Sequence, residues 1–310
     1  MRPDETTHLK GEAMRALKGR TSALRRRLVT LAALTAVISL SAVFVAPPAQ
    51  AANTIEQQFN VAGSFGAVST QTVTVNGNGY KLFYPTTLGA NGYHHPIITW
   101  ANGTSANPDN YTGLLNRLAS WGYVVVASTS GTTGPGTLVV AGAQWMVAQN
   151  TTAGSIFNGK LDTTKVGAAG HSQGASGAIN ATTLSGGLIK STLVFDLPNP
   201  VWVGAESAMN FSLITKPIMF MTGGNDWLIS SASGNTGYYN QVAGAAAKAS
   251  LNGAGHNTIQ GTGGGYLGYT VAWFEYTLKG NTTARSAYVG SPPEINTNSA
   301  WANQAEKNLP

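Results

Sequence analysis

The chain has 310 residues, with 18 Lys/Arg against 12 Asp/Glu, a formal net charge of +6, 38 glycines and no cysteine. Eight of the basic and three of the acidic residues fall within residues 1–51, so the remainder is close to neutral and leaves no basic stripe for nucleic acid. The absence of cysteine excludes a disulfide framework, and the fold has to be held by packing.

Residues 1–51 read as a secretory signal peptide. Arg25, Arg26 and Arg27 close a basic region, residues 28–45 are uncharged and apolar, and Ala49-Gln50-Ala51 supplies a small-x-small cleavage pattern. An uncleaved anchor is the alternative, because the apolar run approaches the length of a membrane span. Pro47-Pro48 and the cleavage pattern favour removal, with a mature start near Ala52 and no membrane anchoring afterwards. The arginine pair loosely resembles a twin-arginine export signal, and Met14 is a second possible start. A secreted, extracellular and monomeric product is expected, with residues 52–310 forming a single catalytic domain.

Strands are expected at 71–75, 80–84, 97–100, 123–127, 166–169, 192–195, 218–221 and 248–251. Helices are expected at 111–120, 138–149, 175–184, 238–247 and 270–278. Continuous apolar runs such as Tyr123-Val124-Val125-Val126 suit strands buried on both faces. Leu114, Leu115 and Leu118 share one face of the first helix, with Asp109 or Asn110 as its N-cap. The last thirty residues read as a tail wrapped over the domain. Two hairpin strands followed by strand-helix repeats predict an α/β-hydrolase fold, a mostly parallel central sheet flanked by helices with no lid domain.

Gly170-His171-Ser172-Gln173-Gly174 matches G-x-S-x-G, a weak signal by itself in so glycine-rich a chain. Its setting strengthens it, because a strand precedes the pentapeptide and a helix follows, as a nucleophile elbow requires. The bland alternative is a glycine-rich turn with an incidental serine. A serine needs a base, and in this fold the chain order is Ser, acid, His. His256 is the sole histidine after Ser172, so elimination makes it the base, a surface-loop histidine being the alternative. The acid lies between them. Asp226 is preferred because residues 222–225 give it a loop to reach His256, Asp196 is the runner-up with a capping role as its alternative, and Glu206 has no strand before it. By place in the chain, the backbone N–H groups of Thr104 and Gln173 are the candidate oxyanion donors. His94 and His95 are read as surface-loop residues; no metal cluster has usable spacing, and no cofactor is expected.

The stretches Pro96–Trp100 with Asn102-Gly103-Thr104, residues 118–125, residues 158–174, residues 217–226 and Gly255-His256 with residues 271–274 resemble the bacterial cutinase and polyester (PET) hydrolase-like family. The resemblance implies a lidless secreted esterase that accepts bulky acyl esters in an open groove, polymeric or hydrophobic substrates included. It places Thr104 and Gln173 in the first subsite and makes Trp202 the candidate aromatic clamp, with buried packing as that residue's alternative and Trp227 as a weaker candidate. The chain departs from the family in lacking its C-terminal disulfide, in Gln173 where a Met is usual, and in Thr104 where an aromatic is common. Gln173 is expected to make the subsite wall more polar. A carbohydrate acetyl esterase or lipase is the alternative within enzymes, and a non-catalytic secreted carbohydrate-binding relic is the alternative outside them.

Overall fold

A computed structural model describes residues 54–310; the signal-peptide reading lies outside the described residues. The chain forms α1 (Thr54–Phe59), β1 (Val68–Val75), β2 (Asn78–Pro85), β3 (His95–Ala101), α2 (Thr112–Ser120), β4 (Val124–Ser128), α3 (Thr137–Gln149) and β5 (Leu161–His171). It continues through α4 (Gln173–Leu184), β6 (Ile189–Phe195), β7 (Ile218–Gly223), α5 (Ala232–Gln241), β8 (Ala246–Leu251), α6 (Leu267–Lys279), α7 (Thr282–Arg285) and β9 (Trp301–Lys307). The nine strands form one sheet in the order β1-β2-β4-β3-β5-β6-β7-β8-β9. Strands β4, β3, β5, β6, β7 and β8 run parallel, while β1, β2 and β9 join antiparallel at the edges. This is the α/β-hydrolase architecture that the order of apolar runs predicts.

Alternation along the central strands divides the core between the two sheet faces. Ile98, Val125, Leu193, Phe195, Met219 and Met221 pack on one face with α2 and α6. Ile97, Val124, Val126, Val194, Ile218 and Phe220 pack on the other with α3, α4 and α5. Both sets are buried, which is why these strands read as unbroken apolar runs.

The C-terminal segment closes over α6 without a disulfide. Glu56 of α1 accepts hydrogen bonds from Asn298 Nδ2 at 2.6 Å and Trp301 Nε1 at 3.0 Å. Glu294 in turn accepts from the backbone N–H groups of Ile55 and Glu56 at 2.9 and 3.0 Å. Burial and the neighbouring Glu56 hold the Glu294 carboxyl above its ordinary value, against the lowering effect of those amide donors.

Four expectations are corrected. The helix expected over 238–247 instead spans Ala232–Gln241, and the alanine-rich run from Ala246 enters β8. A vacant position beside β7 outweighs the helix propensity of alanine. The last thirty residues include the edge strand β9, whose polar alternation is a weak strand signal. The cap before the first helix is Asn107, which accepts from Asp109 N at 2.8 Å and starts a 3-10 turn at Pro108–Tyr111 ahead of α2. Asp109 instead pairs with Lys81. His95 is buried at the start of β3, where its ring takes the Gly89 N–H at Nε2, 3.0 Å, and meets the Gly122 carbonyl at Nδ1, 2.7 Å. Among the described residues no helix is long and apolar enough to cross a membrane.

Candidate active site

The parallel strands end on one side of the sheet, where a fold of this kind presents its ligands. There β3 runs into Asn102-Gly103-Thr104, β5 into Ser172, β6 into Asp196, β7 into the Asp226 loop and β8 into the His256 loop. The loop after β3 is held from several sides. Asn102 Nδ2 donates to the carbonyls of Ser128 at 2.5 Å and Ser130 at 3.0 Å, its Oδ1 accepts from Trp100 Nε1 at 3.0 Å, and its own carbonyl accepts from Thr133 Oγ1 at 2.7 Å.

Ser172 sits on the turn between β5 and α4 with φ 55° and ψ −126°, a conformation costly for any residue but glycine and typical of functional turns. Its N–H is fixed to the Phe195 carbonyl at 3.0 Å. The flanking glycines answer a need for space. A Cβ on Gly170 would lie 2.1 Å from the Gly174 carbonyl oxygen, and one on Gly174 would lie 2.2 Å from that of Ala101. Gly174→Ala is therefore expected to cost about 3 kcal/mol or more, since backbone has to move, and to lower Tm by roughly 6–12 °C for a domain of this size. Gly237, inside α5 with nothing within 4 Å of its notional Cβ, supplies the contrast: Gly237→Ala should be neutral or stabilising by about 0.5–1 kcal/mol. Thermal denaturation of both variants checks this, and equal Tm values for Gly174→Ala and the parent would refute the steric account.

Three predicted residues come together in a line. Ser172 Oγ lies 2.9 Å from His256 Nε2, and His256 Nδ1 lies 2.5 Å from Asp226 Oδ2. Asp226 is buried, and its other oxygen accepts from Ile229 N at 3.3 Å. In this arrangement the serine hydroxyl donates to Nε2 and Nδ1–H donates to the carboxylate, the tautomer required if His256 is to take the serine proton.

Asp196 lies close by in a different environment. It is wholly buried, with Oδ1 accepting from Gly223 N at 2.7 Å and Thr222 Oγ1 at 3.3 Å. Burial raises its pKa well above the carboxylate range, and the neighbouring Asp226 adds to the effect despite those donors. Asp196, Asp226 and His256 each place a polar atom within 4.8 Å of the others. That grouping is poorly suited to a cation, because burial disfavours charge on Asp196 and His256 Nδ1 is committed to Asp226.

A cleft of about 590 Å³ opens over Ser172 and His256, and Thr104, Gln173, Trp202 and Glu206 are among the residues that line it. Neither the Thr104 nor the Gln173 backbone N–H has a protein acceptor among the described residues. Trp202 is 55% exposed, with its Nε1 donating to the Leu228 carbonyl at 3.0 Å, so the alternative of buried packing does not hold. Beyond Asp226 it is Leu228 and Ile229 that face the cleft, while the exposed Trp227 stands outside its lining. Gln173 lines the cleft and also makes side-chain contacts beyond it. Its Oε1 accepts from Thr133 N at 2.9 Å and Gly134 N at 3.2 Å, so its acceptor is turned to the loop after β4 rather than to the cleft.

The sequence assigns no role to His171, which precedes Ser172. Its Nδ1 is 3.0 Å from Tyr111 Oη and its Nε2 is 2.7 Å from the His256 carbonyl oxygen. Tyr111 Oη also accepts from Gly103 N at 3.1 Å. No local pattern could have revealed the His171 contacts, since they join the end of β5 to the loops after β3 and β8.

Comparison with known proteins agrees with this architecture. The chain is 26% identical over 284 residues to a cutinase of Thermobifida fusca (strain YX), covering 85% of this chain and 88% of the relative. It is 25% identical over 294 residues to a bis(hydroxyethyl) terephthalate hydrolase of Streptomyces coelicolor, covering 88% of each. It is also 25% identical over 305 residues to the cutinase cut1 of Thermobifida fusca, covering 91% of this chain and 90% of that one. The profile of the PET hydrolase-like family matches residues 44–307. With most of its length matched, the chain belongs to the PET hydrolase-like family.

Proposed function

We propose that this protein is a secreted serine ester hydrolase that works through an acyl-enzyme on Ser172. The observation that carries the reading is the line Ser172 Oγ, His256 Nε2 and Nδ1, Asp226 Oδ2, with separations of 2.9 and 2.5 Å. Membership of a family of ester hydrolases supports the reaction class.

In this mechanism the Ser172 oxygen attacks the ester carbonyl carbon while its proton passes to His256 Nε2. The carbonyl oxygen becomes an oxyanion, and the free N–H groups of Thr104 and Gln173 hold it. Asp226 stabilises the imidazolium. Collapse breaks the ester C–O bond, and His256 returns the proton to the departing alcohol. A water molecule, deprotonated by His256, then attacks the acyl-enzyme, and the acid leaves as Ser172 regains its hydrogen.

Carboxylic esters with bulky or polymeric acyl parts suit the cleft best. Trp202, Val203, Leu228 and Ile229 give it an apolar side. Glu206 puts one carboxylate on the wall, which disfavours acyl groups ending in a free acid. The test is a fluorophosphonate probe, which modifies a serine only where base and oxyanion donors are assembled. Mass spectrometry should find stoichiometric adduct on Ser172, and turnover of polyester film and C4 esters should exceed that of acetylxylan. An unlabelled Ser172 would favour a non-catalytic binding protein, and a preference for acetylxylan a carbohydrate acetyl esterase.

A further inference from the structure

A buried chain of hydrogen bonds outside the Ser172–His256–Asp226 line joins two of the loops that build the cleft. It runs from Gly103 N to Tyr111 Oη at 3.1 Å, from Tyr111 Oη to His171 Nδ1 at 3.0 Å, and from His171 Nε2 to the His256 carbonyl at 2.7 Å. Its hydrogens are fixed from the ends. A carbonyl oxygen can only accept, so His171 Nε2 carries a hydrogen. Burial, aided by the neighbouring His256, lowers the His171 pKa to about 3, so the ring is neutral and Nδ1 keeps a lone pair. Tyr111 then aims its hydroxyl hydrogen at Nδ1, and its oxygen is left to receive the Gly103 N–H.

We propose that Tyr111 and His171 are positioning residues that set the oxyanion loop and the backbone of His256 as one unit. This rests on the serine hydrolase reading above. Gly103 is the neighbour of Thr104, and it approaches so closely that a Cβ there would lie 3.1 Å from His171 Nδ1 and 3.2 Å from Tyr111 Oη. His256 is thereby held at two points, the ring by Asp226 and the backbone by His171. Without the Tyr111 hydroxyl, His171 Nδ1 and the Gly103 N–H both lose their buried partner, and the oxyanion loop is no longer tied to the backbone of His256.

The segment around Tyr111 has supports of its own, since Gly113 N donates to Gly261 O at 2.9 Å and Gly261 N to Asn110 O at 2.7 Å. Tyr111→Phe should therefore fold. In the full chain with p-nitrophenyl butyrate it is expected to lower kcat by about tenfold with KM changed less than about threefold, the pattern of misplaced catalytic groups. His171→Gln retains an N–H that can reach the His256 carbonyl, so it should keep at least about tenfold more kcat than His171→Leu. Adding Tyr111→Phe to His171→Gln should then cost less than it does in the parent, because the two side chains act in series. Equal costs in both backgrounds, a loss confined to KM, or matching kcat for the Gln and Leu variants would overturn the relay. The Gln-against-Leu comparison stands even if Tyr111→Phe fails to fold. An enzyme dependent on Ser172 but indifferent to these changes refutes the relay alone, whereas activity independent of Ser172 refutes the underlying reading.

Discussion

Ser172→Ala is expected to lower kcat by about 10⁵-fold or more, with KM close to that of the parent. The size follows from what the oxygen does. In the proposed mechanism it forms a bond in the transition state, and before it, among the described residues, it makes one hydrogen bond, to His256 at 2.9 Å, so removing it takes away rate without taking away binding. What remains comes from the oxyanion donors and the cleft acting on water, about 10³–10⁴ over the uncatalysed rate in well-studied serine enzymes.

The loss can be separated from unfolding. Ser172 holds φ at 55°, and alanine has the same Cβ, so the strain of the elbow is neither added nor relieved. The backbone bonds of residue 172, to Phe195 O and from Ala175 N, survive the change. Tm should stay within about 2–4 °C of the parent, the equivalent of about 1 kcal/mol in a domain of this length. Steady-state kinetics alongside a melting curve checks both parts. A folded variant retaining more than about a tenth of parental kcat would mean that another group is the nucleophile.

The elbow was readable in the sequence because everything it requires is local. A strand, a turn and a helix follow each other within twenty residues, and the glycines stand where a Cβ would strike backbone. The place of His256 beside Ser172 was readable by elimination, since few histidines are present. The central strands were readable because burial on both faces makes them apolar throughout. The boundary between α5 and β8 was not, because an alanine-rich run suits a helix until a neighbouring strand competes for it. The β9 strand was hidden for a related reason. As an edge strand it faces solvent, and its pairing with β8 includes a register shift between Lys248 and Ser250. The side-chain roles of Gln173 and His171 were beyond reach, because their partners, Thr133, Gly134, Tyr111 and the His256 carbonyl, are distant in sequence and adjacent only once the strand ends are aligned.

The choice between Asp226 and Asp196 is where sequence and structure bear on each other most directly, and it yields the second large effect. Asp226→Asn should lower kcat by about 10⁴-fold, as loss of the carboxylate does in serine enzymes with this geometry. An Asn can present its NH₂ to His256 Nδ1. That forces the hydrogen onto Nε2, where it faces Ser172 Oγ and blocks proton transfer. If Asn presents its oxygen instead, the imidazolium formed during attack still lacks a counter-charge. Asp196 cannot take over, although it is near. Burial disfavours its charged form, a cause that persists when the neighbouring Asp226 charge is removed, and its Oδ1 is occupied by the Gly223 N–H at 2.7 Å. A neutral carboxylic acid and an amide are close in shape and in hydrogen bonding, so Asp196→Asn should leave kcat within about threefold of the parent and alter Tm only slightly. The pair of variants therefore separates the two carboxyls by more than a thousandfold in rate. Reversal of that order, a mild Asp226→Asn beside a crippling Asp196→Asn, would transfer the acid role to the residue after β6 and require the His256 loop to turn toward it.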